Sequence, residues 1–161
     1  MESCCQPTTQ ANSRVTLCPT CHENGRSVPI ITLKSLLKPD ALSMLHPKLK
    51  YFFCSTSTCE VVYYSEANTF KTQDMKVPVF QKDNRVQVPV CYCFGWTRER
   101  LNHAVEEKND PIQFIREQVK ADRCGCEVNN PQGACCLGNV TSFIREIEKN
   151  ENTIMSGRHY E

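Results

Sequence analysis

The chain has 161 residues, of which 23% are charged and 40% are hydrophobic, a composition typical of a soluble globular protein with one domain or two small ones. Its formal charge of +1 gives no basic surplus for a nucleic acid partner. No segment approaches the roughly 18 apolar residues of a membrane span, and the first residues lack the basic and apolar regions of a secretion signal, so we expect a cytoplasmic protein.

The first half of the chain is patterned for strands. Its apolar segments are short and rich in β-branched and aromatic residues, which favours extended structure. These segments predict strands at 28–33, 51–53, 61–64, 77–80 and 86–90. One short helix is predicted between Leu36 and Leu45, because Asp40 follows Pro39 and the apolar residues there share a helical face.

The second half is patterned for helices, from Thr97 onward. Asp110-Pro111-Ile112-Gln113 predicts a helix start, with an N-cap, a proline at the first helical position and a glutamine at the third. A last helix is predicted by four apolar residues at helical spacing, Val140, Phe143, Ile144 and Ile147.

The patterning changes at a polar stretch, residues 81–87, which predicts a domain boundary there. We expect a β-rich domain at 15–86 and a helical domain at 87–149. Residues 1–14 and 150–161 have no apolar periodicity, and we expect them to form disordered tails.

Twelve cysteines are the most informative feature of the sequence, because ten of them stand in close groups. The groups are Cys18 with Cys21, Cys54 with Cys59, Cys91 with Cys93, Cys124 with Cys126, and Cys135 with Cys136. Grouped cysteines are typical of thiolate sites for metal ions, and these suffice for two sites of four thiolates each. The sequence therefore predicts a two-site metalloprotein.

The first site pairs Cys18 and Cys21 with Cys54 and Cys59. A Cys-x-x-Cys turn lets two sulfurs reach one ion, and tetrahedral Zn²⁺ accepts four sulfurs at about 2.3 Å. His22 could replace a cysteine ligand, but a histidine in that place more often shields the site or hydrogen-bonds to it. A thioredoxin-like redox motif would need a preceding strand and a following helix, whereas this motif follows a polar tail and leads into a turn.

A disulfide framework is the main alternative explanation for so many cysteines. It requires an oxidising compartment, and nothing in the sequence indicates export. Neither Cys91 with Cys93 nor Cys135 with Cys136 can close a low-strain bridge in the usual geometry. We therefore favour metal sites.

The second site has six thiols for four positions, on Cys91, Cys93, Cys124, Cys126, Cys135 and Cys136. A Cys-x-Cys pair followed roughly thirty residues later by further cysteines, with helices between, suits an iron–sulfur cluster better than a zinc finger. Cys124 and Cys135 compete with their neighbours, and the spacing leaves that choice open. Phe94 and Trp96 follow the first pair, where they could limit solvent access to the sulfurs, although Trp96 could equally be only a core anchor.

Two motifs indicate a family. Cys91-Tyr92-Cys93-Phe94 and the run from Cys126 through Asn129-Asn130-Pro131 to Cys135-Cys136 resemble the [2Fe-2S] domain of CopZ-type metallochaperones, which is itself related to bacterioferritin-associated ferredoxin. The resemblance extends backward over the segments around Cys59 and Cys54 to Cys18 and Cys21. It covers roughly residues 15–148 and both sites.

The resemblance implies an α+β chain, in which a small β-rich zinc-binding domain is followed by a small helical [2Fe-2S]-binding domain. The implied cluster ligands are Cys91, Cys93, Cys126 and Cys136, and the implied zinc ligands are Cys18, Cys21, Cys54 and Cys59. Cys124 and Cys135 would then be spare thiols near the cluster. With both metal centres bound, the net charge would be about −3, which again disfavours nucleic acid as the main partner.

CopZ-type proteins are described as joining this region to a copper-binding domain with a Met-x-Cys-x-x-Cys loop. None of the four methionines begins such a loop, so we expect this domain to be absent and a separate copper-carrier domain or copper-transport protein to be the partner. In the family, the cluster is proposed to supply the electron that converts Cu(II) to Cu(I), the ion that thiolates prefer. Cys4 and Cys5 are a candidate docking site for a soft metal.

Enzyme signatures are missing from the sequence. It has no dinucleotide-binding glycine loop, no phosphate-binding P-loop and no His-Glu-x-x-His motif. We therefore expect an electron carrier or metallochaperone accessory protein rather than an enzyme, with neither a nucleic acid nor a membrane partner. The alternatives are a zinc-only interaction or regulatory module and a redox subunit of a larger reductase.

Overall fold

The structure, a computed structural model, describes residues 16–156 and is α+β. The first half forms an antiparallel sheet of four strands in the spatial order β1-β2-β3-β4, with two short helices between the first two strands. Its elements are β1 (Arg26–Val28), α1 (Ile30–Leu36), α2 (Pro39–Leu42), β2 (Tyr51–Phe53), β3 (Val61–Tyr64) and β4 (Thr69–Lys71), followed by a 3₁₀ turn at Thr72–Asp74. Val28 lies opposite Tyr51, and Phe53 lies opposite both Arg26 and Tyr63, which fixes the register of β2.

The second half is a two-stranded hairpin followed by helices. Its elements are β5 (Pro89–Cys91), β6 (Trp96–Thr97), α3 (Arg98–Glu106), α4 (Pro111–Lys120), α5 (Cys126–Asn129) and α6 (Leu137–Ser156). The predicted helix start at Asp110 is confirmed, because its carboxylate accepts a hydrogen bond of 2.9 Å from the backbone N–H of Gln113. Thr97 caps α3 in the same way through the N–H of Arg100.

Each half has its own apolar core. In the first half, aromatic and aliphatic side chains of the sheet pack against α1, led by Leu33, Leu37, Tyr51, Phe53 and Tyr63. In the second half, α6 packs on α3, α4 and β5 around Val90, Leu101, Ile115, Val140 and Ile144. Each fully buried side chain of this size contributes about 1.5–3 kcal/mol relative to leaving it exposed, so these two cores dominate the stability.

The two halves contact each other directly. The hydroxyl of Thr32 donates to the carbonyl of Glu127 at 2.6 Å, and the buried hydroxyl of Tyr63 donates to the carbonyl of Pro131 at 2.6 Å. Gly133 has φ +66° and approaches β1 so closely that an added Cβ would lie 2.8 Å from Val28. The segment that leads into α6 is therefore packed against the first half, and the division of the chain at residue 86 stays a prediction.

Several sequence predictions need correction. The apolar run 28–33 is not one strand, because β1 ends at Val28 and α1 begins after Pro29, whose extended backbone (φ −62°, ψ 142°) sets the helix start. The burial pattern fits the helix. Leu33 and Leu36, which are spaced as in a helix, are buried, while Ile31 is exposed.

The remaining corrections concern element bounds. Residues 77–80 form no strand, since Pro78 and Phe80 use their backbone groups to hydrogen-bond the hydroxyl of Tyr92. The strand expected at 86–90 is instead β5, Pro89–Cys91, and the helix expected at 36–45 is only Pro39–Leu42. The last helix extends to Ser156, so residues 150–156 are helical rather than a tail. The tail predicted at 1–14, and residues 157–161 of the tail predicted at 150–161, lie outside the described residues.

Within residues 16–156, none of the helices is long and apolar enough to cross a membrane.

Candidate metal centres

Four cysteine sulfurs of the first half converge on one point. The Sγ atoms of Cys18, Cys21, Cys54 and Cys59 all lie within 4.8 Å of one another. Two of the separations are 3.9 Å, between Cys18 and Cys59, and 3.6 Å, between Cys21 and Cys54. Tetrahedral zinc with Zn–S bonds of about 2.3 Å places its sulfurs about 3.8 Å apart. The four side chains can therefore hold one zinc ion after small shifts of the sulfurs.

Two backbone turns bring these sulfurs together. In the first turn, the backbone N–H of Cys18 donates to the backbone carbonyl of Glu23 at 2.9 Å. The backbone N–H of His22 donates to the backbone carbonyl of Cys18, also at 2.9 Å. His22 sits at φ 61°, which lets the chain reverse, and its side chain is exposed and outside the group of four ligands. In the second turn, Cys54 follows β2 and Cys59 precedes β3, so two neighbouring strands deliver the other pair.

The pKa values of Cys18, Cys59 and Cys21 are shifted in different directions. Burial raises the pKa of Cys18 to about 12 and also raises the pKa of Cys59. At Cys21 burial also acts to raise the pKa. Hydrogen bonds with Thr56, with the Glu23 backbone and with neighbouring thiols outweigh burial and lower the pKa to about 6. A metal ion must therefore displace protons from the buried thiols, which links metal binding to pH and to folding.

The second set of sulfurs is arranged in two pairs rather than around one point. Cys93 and Cys126 place their Sγ atoms 3.7 Å apart, and the buried thiols of Cys91 and Cys136 lie close enough to shift each other's pKa values. Cys91 ends β5, Cys93 lies in the hairpin turn, Cys126 begins α5 and Cys136 precedes α6. Each pair thus joins the hairpin to the later segment.

The surroundings of the second set act on its thiols in different directions. Cys93 Sγ lies 3.2 Å from the N–H of Gly125 and 3.6 Å from the side-chain amide of Asn129. The hydrogen bond with Cys136 lowers the pKa of Cys91 to about 7 against the effect of burial, and the charge of Arg100 acts in the same direction. Burial and the charge of Cys93 raise the pKa of Cys126 to about 12, and the hydrogen bond with Cys91 raises that of Cys136.

The two competing thiols are placed differently. Cys135 is exposed, whereas Cys124 is half-buried like Cys126. Cys135 is still near enough for its charge to contribute to raising the pKa of Cys126 and of Cys136. Of the two neighbouring pairs, Cys136 is buried where Cys135 is exposed, and the Sγ of Cys126 contacts that of Cys93.

Aromatic rings cover one side of the second set. Phe94 and Trp96 both make edge contacts with Phe114, at ring-centroid distances of 6.0 and 5.9 Å, and pack against the core of the second half. The Arg100 guanidinium lies 3.9 Å from the centroid of the Trp96 ring. Trp96 is therefore both a core residue and part of the wall beside the thiols.

One polar contact of the first site was missed by the sequence reasoning. Lys82, in the polar stretch 81–87, places its Nζ 3.7 Å from the Sγ of Cys54. No local pattern connects two residues so far apart in the chain, so only the fold reveals this contact. Cys4 and Cys5 lie outside the described residues.

Comparisons with known proteins agree with this geometry. Residues 15–76 match the family model of a CopZ-type protein described as a zinc binding domain. The protein called copper chaperone CopZ from Archaeoglobus fulgidus is 34% identical over 124 residues, which cover 74% of this chain and 57% of that relative. The chain therefore spans little more than half the length of this curated relative.

A solved structure shows the same fold. The X-ray structure of the Archaeoglobus fulgidus CopZ N-terminal domain superimposes with a TM-score of 0.66 at 30% identity and covers 78% of this chain and 95% of that one. The small sheet followed by a helical region is common to both. The chain belongs to the family of the CopZ N-terminal domain, and its residues 15–76 are a CopZ-type zinc-binding domain.

Proposed function

We propose that this chain is a zinc and iron–sulfur protein of copper trafficking, which supplies electrons for the reduction of Cu(II) to Cu(I). The observation that carries the proposal is the arrangement of eight cysteines in two different geometries. One set of four sulfurs surrounds a single point, and the other set forms two pairs. The family relationship to a protein called a copper chaperone connects these sites to copper.

The first site suits a structural zinc ion. Cys18, Cys21, Cys54 and Cys59 provide four sulfurs, which complete a tetrahedral shell and leave no open position for water or substrate. The ion would join the turn before β1 to the turn between β2 and β3 and so fix one end of the sheet.

The second site suits a [2Fe-2S] cluster. Such a cluster is bound by four cysteine thiolates, and the pairs Cys93 with Cys126 and Cys91 with Cys136 offer four from two chain segments. When bound, the cluster supplies a one-electron redox centre. The protein's part is to hold the sulfurs, to exclude water with the rings beside them, and to favour negative charge through the Gly125 amide and Arg100.

The copper role follows from the chemistry of thiolates, which bind Cu(I) in preference to Cu(II). The relevant substrate is Cu(II), and the partner is a copper-binding domain or copper-transport protein that accepts the product. We place this activity in the cytoplasm, because cysteines that serve as metal ligands need a reducing compartment to stay unbridged.

Metal and acid-labile sulfide analysis tests the assignment directly. Protein purified without oxygen should contain about two irons, two sulfides and one zinc per chain. A preparation that contains only zinc would contradict the iron–sulfur assignment and favour an interaction or regulatory module. This holds if the protein stays colourless after careful exclusion of oxygen and after attempted cluster reconstitution. A preparation with iron and sulfide but no zinc would contradict the assignment of the first site.

Reoxidation by copper tests the activity. Protein reduced with dithionite and freed of excess reductant should be reoxidised by Cu(II), with about one Cu(I) formed per cluster and trapped by a Cu(I)-specific chelator. The control is cluster-free protein with its thiols blocked, since thiols alone reduce Cu(II). Equal Cu(I) yield from that control, or no reoxidation by Cu(II), would exclude copper reduction and leave electron transfer to another acceptor.

A further inference from the structure

A lysine from the segment between the two halves inserts its ammonium group into the zinc-site turn. The Nζ of Lys82 donates hydrogen bonds to the carbonyls of Thr56 at 2.7 Å and Cys59 at 2.8 Å, and lies 3.7 Å from the Sγ of Cys54. All three acceptors belong to the turn that delivers the second pair of zinc ligands. The side chain is partly buried, so solvent screens these interactions less than at an open surface.

The segment that carries Lys82 is fixed from the other side by an arginine of the second half. Arg98, the first residue of α3, is only 9% exposed, and its guanidinium donates to the carbonyls of Phe80 at 2.7 Å and Asp83 at 2.6 Å. It also donates to the carbonyl of Arg85 at 3.2 Å and lies 4.4 Å from the centroid of the Phe80 ring. The backbone on both sides of Lys82 is therefore anchored to the start of α3.

The charge balance explains why an ammonium group at this place matters. Four thiolates around one Zn²⁺ leave a net charge of −2, and the Lys82 ammonium group partly compensates that charge from a short distance. Hydrogen bonds from a charged donor are stronger than neutral ones, and two of them hold the carbonyls of the turn in place. Removal of the ammonium group would leave both the turn geometry and the thiolate charge unsupported.

We propose that Lys82 is a positioning residue of the zinc site, and that Arg98 holds it there, so that zinc retention depends on the docking of the second half. The inference rests on the proposed zinc site and adds to it a contact outside the four ligands. Lys82 touches the Cys54–Cys59 turn, whereas Arg98 acts through the 80–85 backbone. Zinc should therefore dissociate faster when either contact is removed.

Zinc release from the full-length protein tests the proposal. Lys82→Met keeps the length of the side chain and removes the charge, and zinc transfer to a colorimetric chelator should be about 10–100-fold faster than in the wild type, as for other residues that support metal ligands. Lys82→Arg keeps the charge and should restore slow release at least in part. The matched control is Lys76→Met, because the Nζ of Lys76 donates to Ser35 and not to the zinc-site turn.

A spectroscopic measurement separates positioning from general loss of stability. In cobalt-substituted protein at full occupancy, Lys82→Met should shift the thiolate-to-cobalt charge-transfer band, because the ammonium group no longer lies beside Cys54. Arg98→Lys should accelerate zinc release as well, with circular dichroism verifying that it is folded. Wild-type release rates and an unchanged cobalt spectrum in Lys82→Met would overturn the inference while leaving the zinc site intact, whereas a wild-type protein without zinc would overturn the proposed function itself.

Discussion

Cys136→Ala should abolish the visible spectrum of the protein, whereas Cys135→Ala, one residue away, should retain most of it. Cys136 is 2% exposed and its thiol lies near that of Cys91, while Cys135 is exposed to solvent. Neighbouring residues of one turn point in different directions, so Cys135 cannot take the place of Cys136 without a movement of the backbone. Absorbance and iron content of the two variants, purified in parallel without oxygen, measure the difference.

The same comparison applies to the other competing pair. Cys126→Ala should lose the spectrum, as should Cys91→Ala and Cys93→Ala, whereas Cys124→Ala should keep most of it. The reason is the 3.7 Å contact between the sulfurs of Cys126 and Cys93. Loss of colour in Cys124→Ala together with retention in Cys126→Ala would show that the other member of the pair is the ligand.

Cys18→Ala should remove zinc from the first site and destabilise the first half. The side chain is fully buried, and the unfolded chain cannot present four thiolates at one point, so zinc binding free energy is also folding free energy. We expect a loss of at least about 3 kcal/mol, which for a unit of this size lowers the Tm by more than about 10 °C. Zinc content and thermal unfolding followed by circular dichroism measure both effects.

Two comparisons make the result specific. His22→Asn alters the exposed neighbour of Cys21 with a residue that tolerates the positive φ at this position, and should retain both zinc and stability, because His22 lies outside the ligand group. The visible spectrum of Cys18→Ala should persist, since the core around Val90, Leu101 and Val140 is separate from the zinc site. Wild-type zinc content and Tm in Cys18→Ala would exclude this cysteine as a ligand.

Local chemistry made part of this structure predictable. The N-cap at Asp110 and the last helix follow from capping rules and spacing, and the strands 51–53 and 61–64 follow from composition. Grouped cysteines predicted which thiols come together in the first half, because two short turns can meet around one ion in few ways.

Other features depend on distant parts of the chain and could not be predicted. The run 28–33 contains both strand-like and helix-like spacing, and the outcome is decided by Pro29 and by which residues meet the sheet. Residues 77–80 have strand composition but find no partner strand, because their backbone groups pair with Tyr92. The contact of Lys82 with the zinc-site turn joins residues far apart in the chain, so no local pattern reveals it.

The Tyr63 hydroxyl has a consequence for how the protein can be divided. It is buried within the first half, yet its acceptor is the carbonyl of Pro131 in the second. A fragment that ended at residue 86 would keep all four zinc ligands but leave this hydroxyl without its acceptor and uncover the surface of Val28 that Gly133 contacts. Zinc binding by such a fragment would then measure the metal site together with the cost of a newly exposed face, so zinc-site variants are best compared in a chain that keeps both halves.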